Sequence, residues 1–180
     1  MKGIVFTEFL EMVEDKFGLL TLDKIVENSE LESGGAYTAV GTYNHSEMVQ
    51  LVSNLSEEVD IPIVDLLEIY GKHFFTILHN SYPSFFEEVN GAFDFLGSIE
   101  NHIHVEVLKL YPDAELPSFD IKQLNENQLE MVYRSERKLA AFAKGLIQGA
   151  TEYFNEPISI KMETLDSEGA VVKFTLTKDE

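Results

Sequence analysis

Gln128-Leu129-Glu130-Met131-Val132-Tyr133-Arg134-Ser135-Glu136-Arg137 marks the point where this chain changes character. From Gln128 to Tyr133 every second residue (Leu129, Met131, Tyr133) is apolar, the period of a strand with one buried face. Downstream, Leu139 to Phe154 reads as a helix. Ile158 to Met162 and Val171 to Thr177 then read as a hairpin whose turn is the charged segment Glu163 to Glu168. Upstream, helical spacing dominates. Helices first and strands afterwards make the class α+β.

The same stretch holds both arginines of a 180-residue chain whose net charge is -19. If it stays extended beyond Tyr133, then Tyr133, Ser135 and Arg137 share a face and present donors over roughly 13 Å. Two neighbouring carboxylates would suit them, since a guanidinium matches a planar anion bidentately. The alternative is a strand end whose surface arginine pairs with a nearby glutamate.

Thirty-two acidic against thirteen basic residues argue against nucleic acid and anionic lipid as partners. With no cysteine, disulfides, thiolate zinc sites, iron–sulfur clusters and thiol nucleophiles are excluded, and any metal must be held by histidine or carboxylate. No apolar run reaches the ~18 residues that read as a membrane span. The N-terminus meets Glu8 before a signal-length apolar run develops, so a cytoplasmic location is expected.

Phe6, Phe9, Leu10, Val13 and Phe17 form one helical stripe closed by Gly18, and a second helix is expected to start from a Thr21 cap. After an irregular segment from Ser33-Gly34-Gly35 to His45, Asn44 with Glu47 resembles a capping box. Ile61-Pro62 marks the next helix start and the expected lobe boundary, giving lobes of about 1–62 and 63–180 in a single domain spanning 1–180. A wide apolar face follows (Leu66, Leu67, Tyr70, Phe74, Phe75, Leu78), then a phenylalanine-rich stretch, then a helix carrying Ile99, Ile103, Val107 and Leu110 that ends at Pro112.

That last helix contains His102 and His104. On a strand a His-x-His pair would face one way and suit zinc. On a helix the two lie about 200° apart, so at most one faces inward. A buried imidazole is either an axial ligand to haem iron or a core histidine bonded to a carbonyl. There is no Gly-x-Ser-x-Gly, phosphate loop or His-Glu-x-x-His.

Taken together, Glu100-Asn101-His102-Ile103-His104-Val105-Glu106-Val107 ahead of Tyr111-Pro112 and Pro117-Ser118-Phe119, followed by Tyr133-x-Ser135-x-Arg137, resemble the H-NOX family of haem nitric oxide/oxygen binding domains, related to the sensor domain of soluble guanylate cyclase. The similarity runs over essentially the whole chain. It implies a helical N-terminal lobe packed on a C-terminal lobe with a small, about four-stranded antiparallel sheet, and a b-type haem between them. By placement His104, and not His102, matches the proximal iron ligand. Tyr133, Ser135 and Arg137 match the clamp on the haem propionates, and Val5 and Pro117 match positions that press on the macrocycle, where relatives often carry Ile for Val5.

The distal wall implied by the same resemblance is Phe9, Phe74, Leu78, Phe142 and Leu146, with Phe142 where oxygen-binding relatives carry a tyrosine. With no hydroxyl there, nitric oxide binding with exclusion of O2 is expected, CO binding as well, and His73 is expected to face away. The resemblance further implies a sensor and not an enzyme: nitric oxide releases His104, the haem relaxes away from Pro117, the lobes shift, and the output passes in trans to a histidine kinase or a diguanylate cyclase. Two other classes stay open, a peroxidase- or oxygenase-like haem enzyme and a haem-free protein-interaction module.

Overall fold

The computed structural model describes residues 1–87 and 89–179. Met1–Tyr70 and Gly71–Glu180 form two compact units. Their division falls inside a helix that starts just after Ile61-Pro62, where the sequence places a helix start.

The first unit is built on α1 (Gly3–Phe17), α2 (Leu19–Glu27) and α3 (His45–Val59), with the start of α4 (Ile63–Ser81). The α1 stripe is buried through Phe6, Phe9, Met12 and Val13, alongside Ile25, Met48, Leu51 and Leu55. Removing such side chains from water is worth about 1.5–3 kcal/mol each. Gly18 separates α1 from α2 with φ 88°, a left-handed conformation that favours glycine. Thr21 is not a cap: α2 starts at Leu19, and the Thr21 hydroxyl donates back to the Phe17 carbonyl at 3.1 Å.

Asn44 caps α3 by accepting the Ser46 N–H at 3.0 Å. Glu47 does not complete a capping box. Its carboxylate is buried, 3% exposed, and accepts hydroxyl protons from Ser33 at 2.5 Å and Tyr37 at 2.7 Å. The Tyr37 ring in turn stacks on Phe6 at 4.4 Å, so the irregular segment closes over α1. Burial, reinforced by the Glu47 carboxylate and only partly offset by Ser33, pushes the Tyr37 phenol well above its ordinary range.

The second unit continues α4 and adds a 3-10 turn (Pro83–Phe86), α5 (Ala92–Gly97), a π-turn (Ile99–Ile103), α6 (His104–Leu110) and α7 (Ala140–Tyr153). Its antiparallel sheet comprises β1 (Ser118–Asn125), β2 (Gln128–Arg134), β3 (Ile158–Thr164) and β4 (Val171–Lys178) in the order β1-β2-β4-β3. Alternation in β2 and β4 puts Leu129, Met131, Tyr133, Val172, Phe174 and Leu176 into one core, joined by Ala143, Ile147 and Ala150 of α7. β1 was not expected from the residue pattern. Its signal was the alternation Phe119-Asp120-Ile121-Lys122, diluted by the polar end Gln123 to Asn127.

The helix expected from Ile99 to Leu110 is interrupted. Its first turn is π-helical, and regular α-helix begins only at His104, with Leu110 exposed. A π-turn inserts one extra residue per turn and occurs preferentially at functional sites.

Candidate functional site

The π-turn decides how His104 is presented. The imidazole follows it directly and is mostly enclosed, its side chain 15% exposed, whereas His102 is exposed and meets the edge of Phe85 at 6.2 Å. His104 Nδ1 lies 3.3 Å from Glu100 Oε1, four residues earlier. The same oxygen accepts the Phe119 N–H at 2.6 Å, so Glu100 ties the turn to the start of β1. Burial holds the imidazole below its ordinary pKa of 6.5, against an opposing pull from the Glu100 charge. A neutral ring with Nδ1 engaged presents Nε2 as a lone-pair donor, the arrangement that metal-ligating histidines adopt.

Aromatic contacts lead from this ring to the arginine segment: His104 to Phe119 at 6.1 Å between centroids, and Phe119 to Tyr133 at 5.6 Å. Tyr133 is buried on β2 and pairs across the sheet with Phe119 and Val172. The strand ends at Arg134, so the extended arrangement expected through Arg137 does not form. The chain turns instead. Ser135 Oγ accepts the Arg137 N–H at 3.2 Å, and the Lys138 N–H returns to the Ser135 carbonyl.

The turn still brings the three residues together. The Tyr133 hydroxyl accepts the Leu139 N–H at 3.0 Å, leaving its own proton to donate. Burial raises its pKa, while hydrogen bonds from Ser135 and Leu139 and the Arg137 charge pull the other way without prevailing. The arginine–glutamate pair weighed as the alternative is also present. Arg137 Nη2 lies 2.5 Å from Glu115 Oε2, and Nη1 donates to the Glu115 carbonyl at 2.8 Å. Arg134 points elsewhere, 4.0 Å from Asp120.

Pro117 is half-buried in the segment between Glu115 and Phe119. In the second unit Phe74 and Phe142 meet at 5.7 Å, and the backbone of Leu146 runs beside Gly71. Leu78 is half-buried on the same helix as Phe74. In the first unit Phe9 meets Tyr70 edge-on at 5.2 Å, and the Val5 carbonyl accepts the Tyr70 hydroxyl. Glu100 and Glu115 are the polar residues that sequence reasoning did not single out. Glu100 could have been found from its i,i+4 spacing to His104; Glu115 carries no local signal.

These features define a class: an α+β protein offering one mostly enclosed imidazole held below its ordinary pKa and, on the same unit, a tyrosine–serine–arginine cluster able to donate to carboxylates. Among the described residues no group of three or more His, Cys, Asp or Glu could cage a bare metal ion. A single imidazole together with a guanidinium and hydroxyl cluster fits a metal carried by a macrocycle with acidic side chains. The chain belongs to the Haem-NO-binding family (HNOB), whose model matches residues 2–162. It is 50% identical to the H-NOX protein from K. algicida, solved in the Fe(II) unliganded state, with a TM-score of 0.96 over 100% of this chain and 97% of that one. It is 44% identical to the H-NOX from Shewanella woodyi, solved in the Fe(II)CO state with IWP-051 bound, with a TM-score of 0.85 over 99% and 95%. A further match is the soluble guanylate cyclase gcy-35 of Caenorhabditis elegans, 26% identical over 156 residues; the chain spans 82% of itself but 22% of that relative. Among the described residues no helix is long and apolar enough to cross a membrane.

Proposed function

We propose that this protein is a cytoplasmic, non-enzymatic sensor that binds nitric oxide at a ferrous b-type haem and excludes O2. The observation that carries the reading is the enclosed imidazole of His104, kept neutral by burial and oriented through Nδ1 by Glu100. When bound, haem supplies an iron with an open position for a diatomic gas. His104 would hold the iron, Tyr133, Ser135 and Arg137 would hold the propionates, and Val5 and Pro117 would contact the macrocycle.

Gas selectivity follows from Phe9, Phe74, Leu78, Phe142 and Leu146, the residues assigned to the distal side, none of which carries a polar side-chain atom. Bound dioxygen is partly negative and needs a hydrogen-bond donor; nitric oxide and CO do not. In support, a relative from S. oneidensis, 25% identical with a TM-score of 0.91, is solved in the Fe(II)NO state.

For signalling, His104 would be the tether: were it to leave the iron, the π-turn would be freed and, through Glu100 and the Phe119 N–H, the segment carrying Pro117. A histidine kinase or a diguanylate cyclase acting in trans reads the change.

Purified protein expressed with haem available tests this directly. A Soret band is expected, unchanged in air for the reduced protein and shifted by nitric oxide. His104→Ala loses axial ligation and regains it with added imidazole, while His102→Ala leaves the spectrum intact. Colourless protein, or the opposite behaviour of the two variants, overturns the assignment.

A further inference from the structure

Arg137 carries two bonds of different kinds to one residue. Nη1 donates to the backbone carbonyl of Glu115 at 2.8 Å, a partner that cannot be withdrawn without moving the chain. Nη2 donates to the side-chain carboxylate at 2.5 Å, a partner on a flexible stem. Their surroundings differ as well: the Arg137 side chain is 20% exposed and that of Glu115 is 83% exposed. An enclosed cation is thus matched with an anion free to swing into water.

We propose that Glu115 is a resident carboxylate that competes with the haem propionates for Arg137 and thereby sets how tightly the cofactor is held. This rests on the propionate role of Arg137 proposed above. A carboxylate ligand needs the same charge-assisted N–H groups that Glu115 engages. If Glu115 swings out, the guanidinium keeps its backbone anchor and its alignment. If it stays, it shares the cation and repels the incoming charge. Both routes lower affinity for an acidic ligand, and both end when the glutamate charge is removed. The opposing possibility is that Glu115 orients Arg137 for the ligand. Since the Nη1 bond to the backbone already does that, the side chain is left with the competing role.

Haem loss from the holoprotein to excess apomyoglobin, followed at the Soret band, tests the proposal in wild type, Glu115→Gln, Arg137→Gln and the double variant. Glu115→Gln is a conservative change at an exposed side chain, and circular dichroism checks its fold. It is expected to slow haem loss about two- to fivefold, the range open to an exposed ion pair. Arg137→Gln is expected to hasten loss, and the double variant to match Arg137→Gln alone. Faster or unchanged loss in Glu115→Gln, with Arg137→Gln still hastening it, overturns the competitor role and leaves the clamp standing. An unchanged rate in Arg137→Gln removes the clamp, and the competitor with it.

Discussion

Gly71 lies directly against the backbone of Phe142: a methyl group built on Gly71 would stand 2.2 Å from the Phe142 carbonyl oxygen, 2.8 Å from the Gly145 Cα and 2.9 Å from the Leu146 nitrogen. All three obstacles are backbone atoms of α7, so none can rotate aside. The close approach of α4 to α7 therefore depends on a missing side chain, and it sets where Phe142 and Leu146 sit relative to Phe74 on α4.

Gly71→Ala is accordingly expected to destabilise the protein by about 1–3 kcal/mol, an overpacking cost that exceeds the ~1 kcal/mol gained in helix propensity. Chemical denaturation followed by circular dichroism measures it. A variant as stable as wild type would show that α4 and α7 do not pack this closely.

Phe142→Tyr puts a hydroxyl at the position assigned to the distal wall, on a ring 5.7 Å from that of Phe74. Reduced protein carrying this change is expected to form a stable complex in air, detected by its Soret and visible bands. No gain in O2 binding would mean that geometry other than a missing donor governs exclusion.

Glu100→Ala removes the acceptor shared by His104 Nδ1 and the Phe119 N–H. Removing such an orienting partner typically costs ~10–100-fold in metal-centre affinity, so haem retention is expected to fall within that range. Glu100→Gln keeps an acceptor and should lose much less. Equal haem occupancy in all three proteins, measured by the Soret-to-protein absorbance ratio, would argue against the orienting role.

Glu156 predicts a pH dependence of stability. Its Oε1 accepts the Ala92 N–H at the start of α5 at 2.8 Å, and Lys178 Nζ lies 2.8 Å from its Oε2. Burial pushes this carboxyl up, but the Lys178 and Ala92 bonds prevail and hold it below its ordinary value of 4.5. A depressed folded-state pKa contributes stability that is present above the unfolded value and lost as pH falls through the folded one. Between pH 6 and about 3, the melting-temperature gap between wild type and Glu156→Gln is therefore expected to narrow towards the acid end. A constant gap would show that the carboxylate charge plays no part.

The periodic elements were legible because their signals are local. Phe6, Phe9 and Val13 fix the buried face of α1, and alternation in Leu129-Glu130-Met131 does the same for β2. Thr21 and Glu47 misled because a hydroxyl or carboxylate near a helix start looks the same whether it caps that helix or bonds elsewhere. The Glu47 partners, Ser33 and Tyr37, come from a segment with no regular pattern. The π-turn was hidden for a related reason: Ile99, Ile103 and Val107 satisfy the spacing of an ordinary helix, and only the backbone shows the inserted residue.

By itself the chain determined its α+β class, the absence of thiol chemistry, and the histidine, tyrosine, serine and arginine that carry the resemblance to haem sensors, since each of these is a matter of residue type and near-neighbour spacing. Tertiary structure alone decided which anion holds Arg137, that the Phe119 N–H anchors the carboxylate beside His104, and that Gly71 lets α7 lie on α4. Those pairings join residues brought together only when the strand and helices pack, because a hydrogen bond or a steric contact depends on distances of a few ångströms in space and not on separation along the chain.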